Sequence, residues 1–161
     1  MAEQAAAVEP SHPPDAVLRV VNPMVRLLLR SPVAGPLRKQ LMVLRFTGRK
    51  TGHRYDVPVA AHQVGDELWS LTGAGWRHNF RGGTDVEVTL DGRTTRMRGE
   101  LVTNPDAVAH VYARRIDDLG VKRAQRLIGI KIHTPGTPTT QALAEAVKRY
   151  HLATIRFTPK A

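Results

Sequence analysis

The sequence predicts a mostly-β chain with helices added, an α+β fold built on a barrel or sandwich. Three observations predict it. Between residues 41 and 103, strand patterns are broken by Gly- and Asp-containing turn signals at a spacing of roughly 8–12 residues, as in all-β cores. After Thr103 the pattern becomes helical. No internal repeat or linker-like stretch divides the chain, so residues 15–161 are expected to form a single domain. Residues 1–14 contain Ala, Pro and Glu without periodicity and are expected to be a flexible tail.

A chain of 161 residues is long enough for one hydrophobic core, and its 42% apolar content is ordinary for a globular protein. There is no cysteine, which excludes disulfides, thiolate metal sites and a catalytic thiol. The longest wholly apolar runs, such as 27–29 and 41–44, fall far short of the roughly 20 residues that span a bilayer. No basic leader precedes an apolar stretch at the N-terminus, so a cytoplasmic protein is the default expectation. Lys and Arg number 24 against 14 Asp and Glu, a formal charge of +10. Such an excess suits an anionic partner: a phosphorylated small molecule, a membrane surface or nucleic acid. Nucleic acid is not expected, because no helix-turn-helix, zinc knuckle or aromatic sheet motif is present and aromatics are only 5% of the chain.

Residues 15–30 are apolar with spaced Arg. Asn22 can cap a helix that Pro23 begins and Ser31-Pro32 ends. Met24, Val25, Leu27, Leu28 and Leu29 oppose Arg26 and Arg30 on this short basic amphipathic helix, suited to lie over a barrel, to touch a membrane surface, or both. Residues 41–46 are apolar almost throughout and read as a central, buried strand. Residues 54–62 form the next strand, with Tyr55, Val57, Val59 and Ala61 on one face. A hairpin turn at 64–67 leads to a third strand at 68–71. The Gly-rich segment 72–83 has room for a helical turn near 76–80. Val86, Val88 and Leu90 alternate inward along 85–90, and Asp91-Gly92 is a two-residue hairpin turn into a return strand at 93–103. Asn104-Pro105 starts a helix reaching about Asp118, residues 120–127 are helical, 134–138 are loop, 139–150 are helical, and 153–158 alternate as a closing strand.

Two segments carry candidate chemistry. In the turn Gly48-Arg49-Lys50-Thr51-Gly52, the glycines let consecutive N–H groups point outward, and Arg49, Lys50 and Thr51 add two charges and a hydroxyl. Such a turn can hold a phosphate, and it can equally be a solvated hairpin. It is not a P-loop, because no helix pattern follows. In the second segment, Thr72, Gly73 and Ala74 are small enough at a strand end for a flat ring to approach the backbone, and Trp76 and Phe80 share one side of a helical turn. Arg77, Asn79 and Arg81 are then available to bind anions. His53 and His62 lack a carboxylate at ligand spacing, so no metal site is expected.

The string from Phe46 to Gly52, then Arg54 and Val57-Pro58-Val59, resembles the deazaflavin-dependent nitroreductase and quinone reductase family. So does Trp76-Arg77-His78-Asn79-Phe80 followed by Val86 to Leu90 and Gly92. The resemblance is good over about residues 39–103, fair over 22–32 and poor after Thr103. It implies a split β-barrel of FMN-binding-like type, with an N-terminal helix and C-terminal helices packed on the barrel. It implies an oxidoreductase that binds reduced coenzyme F420 and passes a hydride to a quinone, a nitro compound or an activated alkene. By the same resemblance, Arg49, Lys50, Thr51 and Arg54 would meet the phosphate or polyglutamate tail of the cofactor. Val57, Pro58 and Val59 would line the deazaflavin ring, Thr72, Gly73 and Ala74 would face its edge, and Trp76 and Asn79 would close the pocket. A pocket tyrosine, His78 or water would supply the proton that follows the hydride. The resemblance further implies a homodimer and, as in one branch of the family with an N-terminal helix, work near membranes, here through residues 15–30 at the inner face of the plasma membrane. Two alternatives share the fold: an FMN enzyme, and a non-catalytic carrier of a fatty acid or other apolar ligand.

Overall fold

The computed structural model describes residues 7–10 and 39–160. These fall into two compact units, one of residues 71–75 and 102–154 with the first strand, the other of residues 39–70, 76–101 and 155–160. The expected helical segment at 15–30 lies outside the described residues. Among the described residues no helix is long and apolar enough to cross a membrane.

The second unit holds most of a seven-stranded sheet, whose strand-end residues 71–72, 102 and 153–154 belong to the first. Its strands are β2 (Leu41–Thr47), β3 (Arg54–Ala60), β4 (His62–Val64), β5 (Glu67–Thr72), β6 (Thr84–Leu90), β7 (Arg93–Val102) and β9 (Ala153–Pro159), in the order β3-β2-β6-β7-β9-β5-β4. The pairs β2–β3, β2–β6, β6–β7 and β4–β5 are antiparallel. The two ends of this order, β3 and β4, are consecutive in the chain with only Ala61 between them. A strand that pairs with β2 along its first half and β5 along its second can do so only if the sheet curls until its ends meet. The architecture is therefore α+β on a mostly antiparallel, curled sheet, consistent with the split barrel. The sequence pattern predicts one continuous strand over 54–62. The corner at Ala61 replaces it, because the chain must change neighbours there, and Ala61 and His62 are both buried at the bend.

Period-two alternation sets the core. Met42, Leu44 and Phe46 of β2, Val86 and Val88 of β6, and Met97 of β7 share one face and are buried with Phe80, Ile155 and Phe157. Each large side chain buried in this way stabilises the fold by about 1.5–3 kcal/mol. β2 is central, as its apolar run implies, with β3 on one side and β6 on the other. Asp91 and Gly92 both have positive φ, 51° and 76°, the conformation that lets a two-residue turn follow the twist of the strands it joins.

The first unit is helical. Its helices are α1 (Pro105–Leu119), α2 (Val121–Ala124), which continues as a π-helical turn over Gln125–Gly129, and α3 (Thr140–Tyr150). Asn104 Oδ1 accepts from Ala107 N at 3.1 Å and Thr139 Oγ1 from Ala142 N at 3.1 Å, so each long helix starts on a side-chain cap. α1 packs on α3, and Val108, Ala109, Tyr112 and Ile116 are buried, as are Leu143, Ala144, Ala146 and Val147. Within the stretch expected as a tail, β1 (Val8–Pro10) pairs antiparallel with β8 (Ile130–Ile132), and Val8 is fully buried. A three-residue strand is too short to show alternation, so neither β1 nor β8 is visible in the sequence pattern.

Candidate functional site

The basic turn after β2 is held by its own backbone. Gly48 N donates to His53 O at 2.7 Å, and Gly52 N to Gly48 O at 3.0 Å. Gly52 sits at φ +71°, a left-handed conformation that glycine adopts without strain. Gly48 is needed for a different reason. A Cβ there would come within 2.6 Å of Tyr55 Cε2, so only glycine lets the Tyr55 ring lie against the turn.

The second segment becomes a 3₁₀ turn, Gly75–Phe80, and the fold brings it onto the first across about thirty residues of chain. Arg49 N donates to Asn79 Oδ1 at 3.0 Å, and Arg49 Nη1 to Arg81 O at 2.6 Å. Asn79 is itself fixed, since its Nδ2 donates to Trp76 O at 2.9 Å and its carbonyl accepts from Thr84 Oγ1 at 2.5 Å. One amide side chain thus ties the basic turn to the aromatic one. Beside it the rings form a platform. Phe46 stacks on Tyr55 with centroids 5.4 Å apart, and meets Trp76 at 6.1 Å and Phe80 at 4.8 Å. Tyr55 is exposed, while Trp76, Val57 and Val59 are half-buried and pack against the core. The result is an apolar, partly accessible surface next to the cationic groups of Arg49, Lys50, Arg77 and Arg81.

These cations act on His78. Its pKa lies below the ordinary imidazole value, first through lost solvation and then through Arg77, Arg81 and Lys50. The part of this shift that comes from the three cations marks a local positive potential, which a bound oxyanion would relieve.

No family model matches the chain, and no curated protein matches it. Solved structures similar to it include the following two. One, described as a domain-swapped dimer, is 14% identical, covers 89% of this chain and 99% of its own, and has a TM-score of 0.47. The other is the conserved hypothetical protein Rv2991 from Mycobacterium tuberculosis, 14% identical, covering 99% of this chain and 86% of its own, with a TM-score of 0.43. Likenesses this distant carry no weight for the site, and the architecture stands on its own strand order.

Of the residues that the sequence singles out, Arg49, Lys50, Thr51, Trp76 and Asn79 are brought together with Val57 and Val59 in the barrel unit. Pro58 is on the other face of the sheet, opposite Val43, because it alternates with Val57 and Val59. Arg54 is likewise opposite Thr47, on the face away from Tyr55. Thr72, Gly73 and Ala74 belong to the helical unit, where Ala74 N donates to Thr72 Oγ1 at 3.0 Å and a Cβ on Gly73 would meet Leu152 Cδ2 at 3.6 Å. Tyr112 is fully buried in α1, and Tyr150 lies under the Arg149 guanidinium, 5.5 Å from its ring centroid. The residues that sequence reasoning missed as part of the site are Phe46 and Tyr55. The signal was present: they flank the turn symmetrically, so an antiparallel pairing must set them opposite each other.

Proposed function

We propose that this chain is an F420H2-dependent oxidoreductase that passes a hydride to a small apolar acceptor, a quinone, nitro compound or activated alkene. The observation that carries this reading is the juxtaposition of the Arg49–Asn79–Arg81 tie with the aromatic platform of Phe46, Tyr55 and Trp76. A flat ring needs an apolar surface with room beside it, and a phosphate and carboxylates need fixed cations nearby. The cations of Arg49 and Lys50 and the half-exposed apolar surface of Tyr55, Trp76, Val57 and Val59 lie on one side of the barrel, which supports the reading. FMN would ask for the same two features and is the less favoured cofactor.

Reduced deazaflavin, when bound, supplies the hydride. The protein's share is position and charge. Lys50 and Arg49 hold the anionic part, and Arg49 is pre-set because its own N–H and guanidinium are bonded to the aromatic turn. Val57, Val59 and Trp76 exclude water from the apolar part. The Tyr55 phenol, exposed and stacked on Phe46, would then be the tyrosine that hands a proton to an acceptor that has gained negative charge.

The test is a fluorescence titration of oxidised F420 with the purified protein, with FMN in parallel. Saturable micromolar binding is expected, weakened at least severalfold by Lys50→Ala, which removes charge alone. Arg49→Ala removes charge and the guanidinium bond to Arg81 O, though not the main-chain bond to Asn79, and should weaken it further. Absence of any binding would defeat the reading, and lipid recovered from the purified protein would then favour the apolar-ligand carrier.

A further inference from the structure

The face of β2, β3, β6 and β7 opposite the aromatic platform has its own chemistry. Cross-strand register puts Asp56, Arg45, Glu87 and Arg96 in one row across the four strands, alternating in sign. Arg45 Nε is bonded to Asp56 Oδ1 at 2.9 Å. Beside this row, Arg54 faces Thr47, a neutral hydroxyl, where an alternating pattern would place a carboxylate. Lys160 Nζ reaches Asp85 Oδ2 at 2.8 Å from the end of the chain. These side chains surround a cavity of about 230 Å³ lined by Arg45, Thr47, Arg54, Asp85, Glu87, Arg96 and Lys160, together with Phe46, Val86 and Met97. The last three alternate with the charged residues and turn their side chains into the core, so they contribute main chain to the floor.

The walls carry four cations and two carboxylates, a net charge of +2. Among the described residues, the Arg54 and Arg96 side chains enter no ion pair, while Arg45 and Lys160 do. The surplus is felt at Asp85, whose pKa is held below its ordinary value by its bond to Lys160 first, with Arg98 and Arg96 adding to the effect. A cavity of this size is below the roughly 300–1,000 Å³ of drug-sized sites. It suits a compact ligand, recognised by planar guanidinium forks.

We propose that this cleft is a second binding site, for a small organic oxyanion, with Arg54 as its anchor and Thr47 and Arg96 as further donors. The site stands apart from the proposed cofactor surface, since Arg54 and Tyr55 point to opposite faces of β3. It gives Arg54 a role that the resemblance had assigned to the cofactor tail. The cleft does not depend on the F420 reading.

The test is an amide chemical-shift titration of the whole chain with inorganic phosphate and with succinate, at constant ionic strength, using glycerol as the neutral control. Saturable shifts grouped at Thr47, Arg54, Val86, Glu87 and Met97 with either anion are expected, and Arg54→Gln should weaken the response at least tenfold. Arg96→Gln, at an exposed position on β7, should weaken it less. Shifts that are scattered, linear in concentration or unchanged in Arg54→Gln would overturn the site. A parallel F420 titration separates the two readings. Loss of F420 affinity in Arg54→Gln as large as in Lys50→Ala would also overturn it, because the cleft would then be part of the cofactor surface.

Discussion

On β2, β3, β6 and β7, neighbouring residues serve opposite chemistries. Phe46, Val86 and Met97 go into a packed aromatic and aliphatic core, while Arg45, Asp85 and Arg96, each one position away, build a solvated array of charges. The core face is held by close packing, where each atom has neighbours and little can move. The charged face is held by pairs in contact with water, where each pair contributes little. The comparison teaches where the barrel can be altered cheaply. Stability resides in the buried part of one face, while its half-exposed margin at Tyr55 and Trp76 and the whole charged face are free to carry recognition.

The largest expected effect follows from emptying the aromatic side. Phe80 is fully buried and meets Phe46 at 4.8 Å, Trp76 at 6.0 Å and Phe157 at 6.2 Å. Phe80→Ala should cost about 3–5 kcal/mol, read by denaturant unfolding, and should abolish whatever affinity the platform has. Overfilling the same side comes next. A Cβ on Gly99 would stand 2.6 Å from Phe80 Cδ1 and 3.2 Å from Phe157 Cε1. Gly99→Ala should therefore cost about 1–3 kcal/mol; an unchanged unfolding midpoint would show that the two rings give way freely.

The charged face should respond far less. Arg45 and Asp56 pair at 2.9 Å with side chains 41% and 27% exposed, so Arg45→Met should cost under about 1 kcal/mol once solvent screening is allowed for. A loss as large as that at Phe80 would remove the distinction between the faces. The smallest effect concerns His78. Its folded pKa is lowered, so the unfolded chain takes up a proton at higher pH than the folded one. Stability should fall slightly as pH drops through the ordinary imidazole range, and stop falling below the folded pKa. In an NMR titration, Arg81→Ala should move the His78 pKa upward, toward its ordinary value. No movement would mean that lost solvation alone accounts for the shift.

Much of the barrel was legible because its cues are local. Asp91-Gly92 is a hairpin wherever it lies between two strands, Asn104-Pro105 starts the helix that follows it, and β2 and β6 show alternation or apolar runs that need no partner to be recognised. The turn at 48–52 and the aromatic segment at 76–80 were each visible as candidates. That they form one structure was implied by the family resemblance alone and not by local pattern, because Asn79 meets Arg49 across thirty residues of chain.

The sequence by itself determined the α+β class, the main barrel strands and their turns, the helix start at Asn104 and the identity of the two candidate segments, since each rests on residues within a few positions of one another. Tertiary structure alone decided the corner at Ala61, the pairing of β1 with β8, the face on which Arg54 and Pro58 stand, and the charged cleft. These depend on which strand becomes whose neighbour. Pairing partners far apart in the chain are chosen by burial and closure of the whole sheet, and no short stretch of residues encodes that choice.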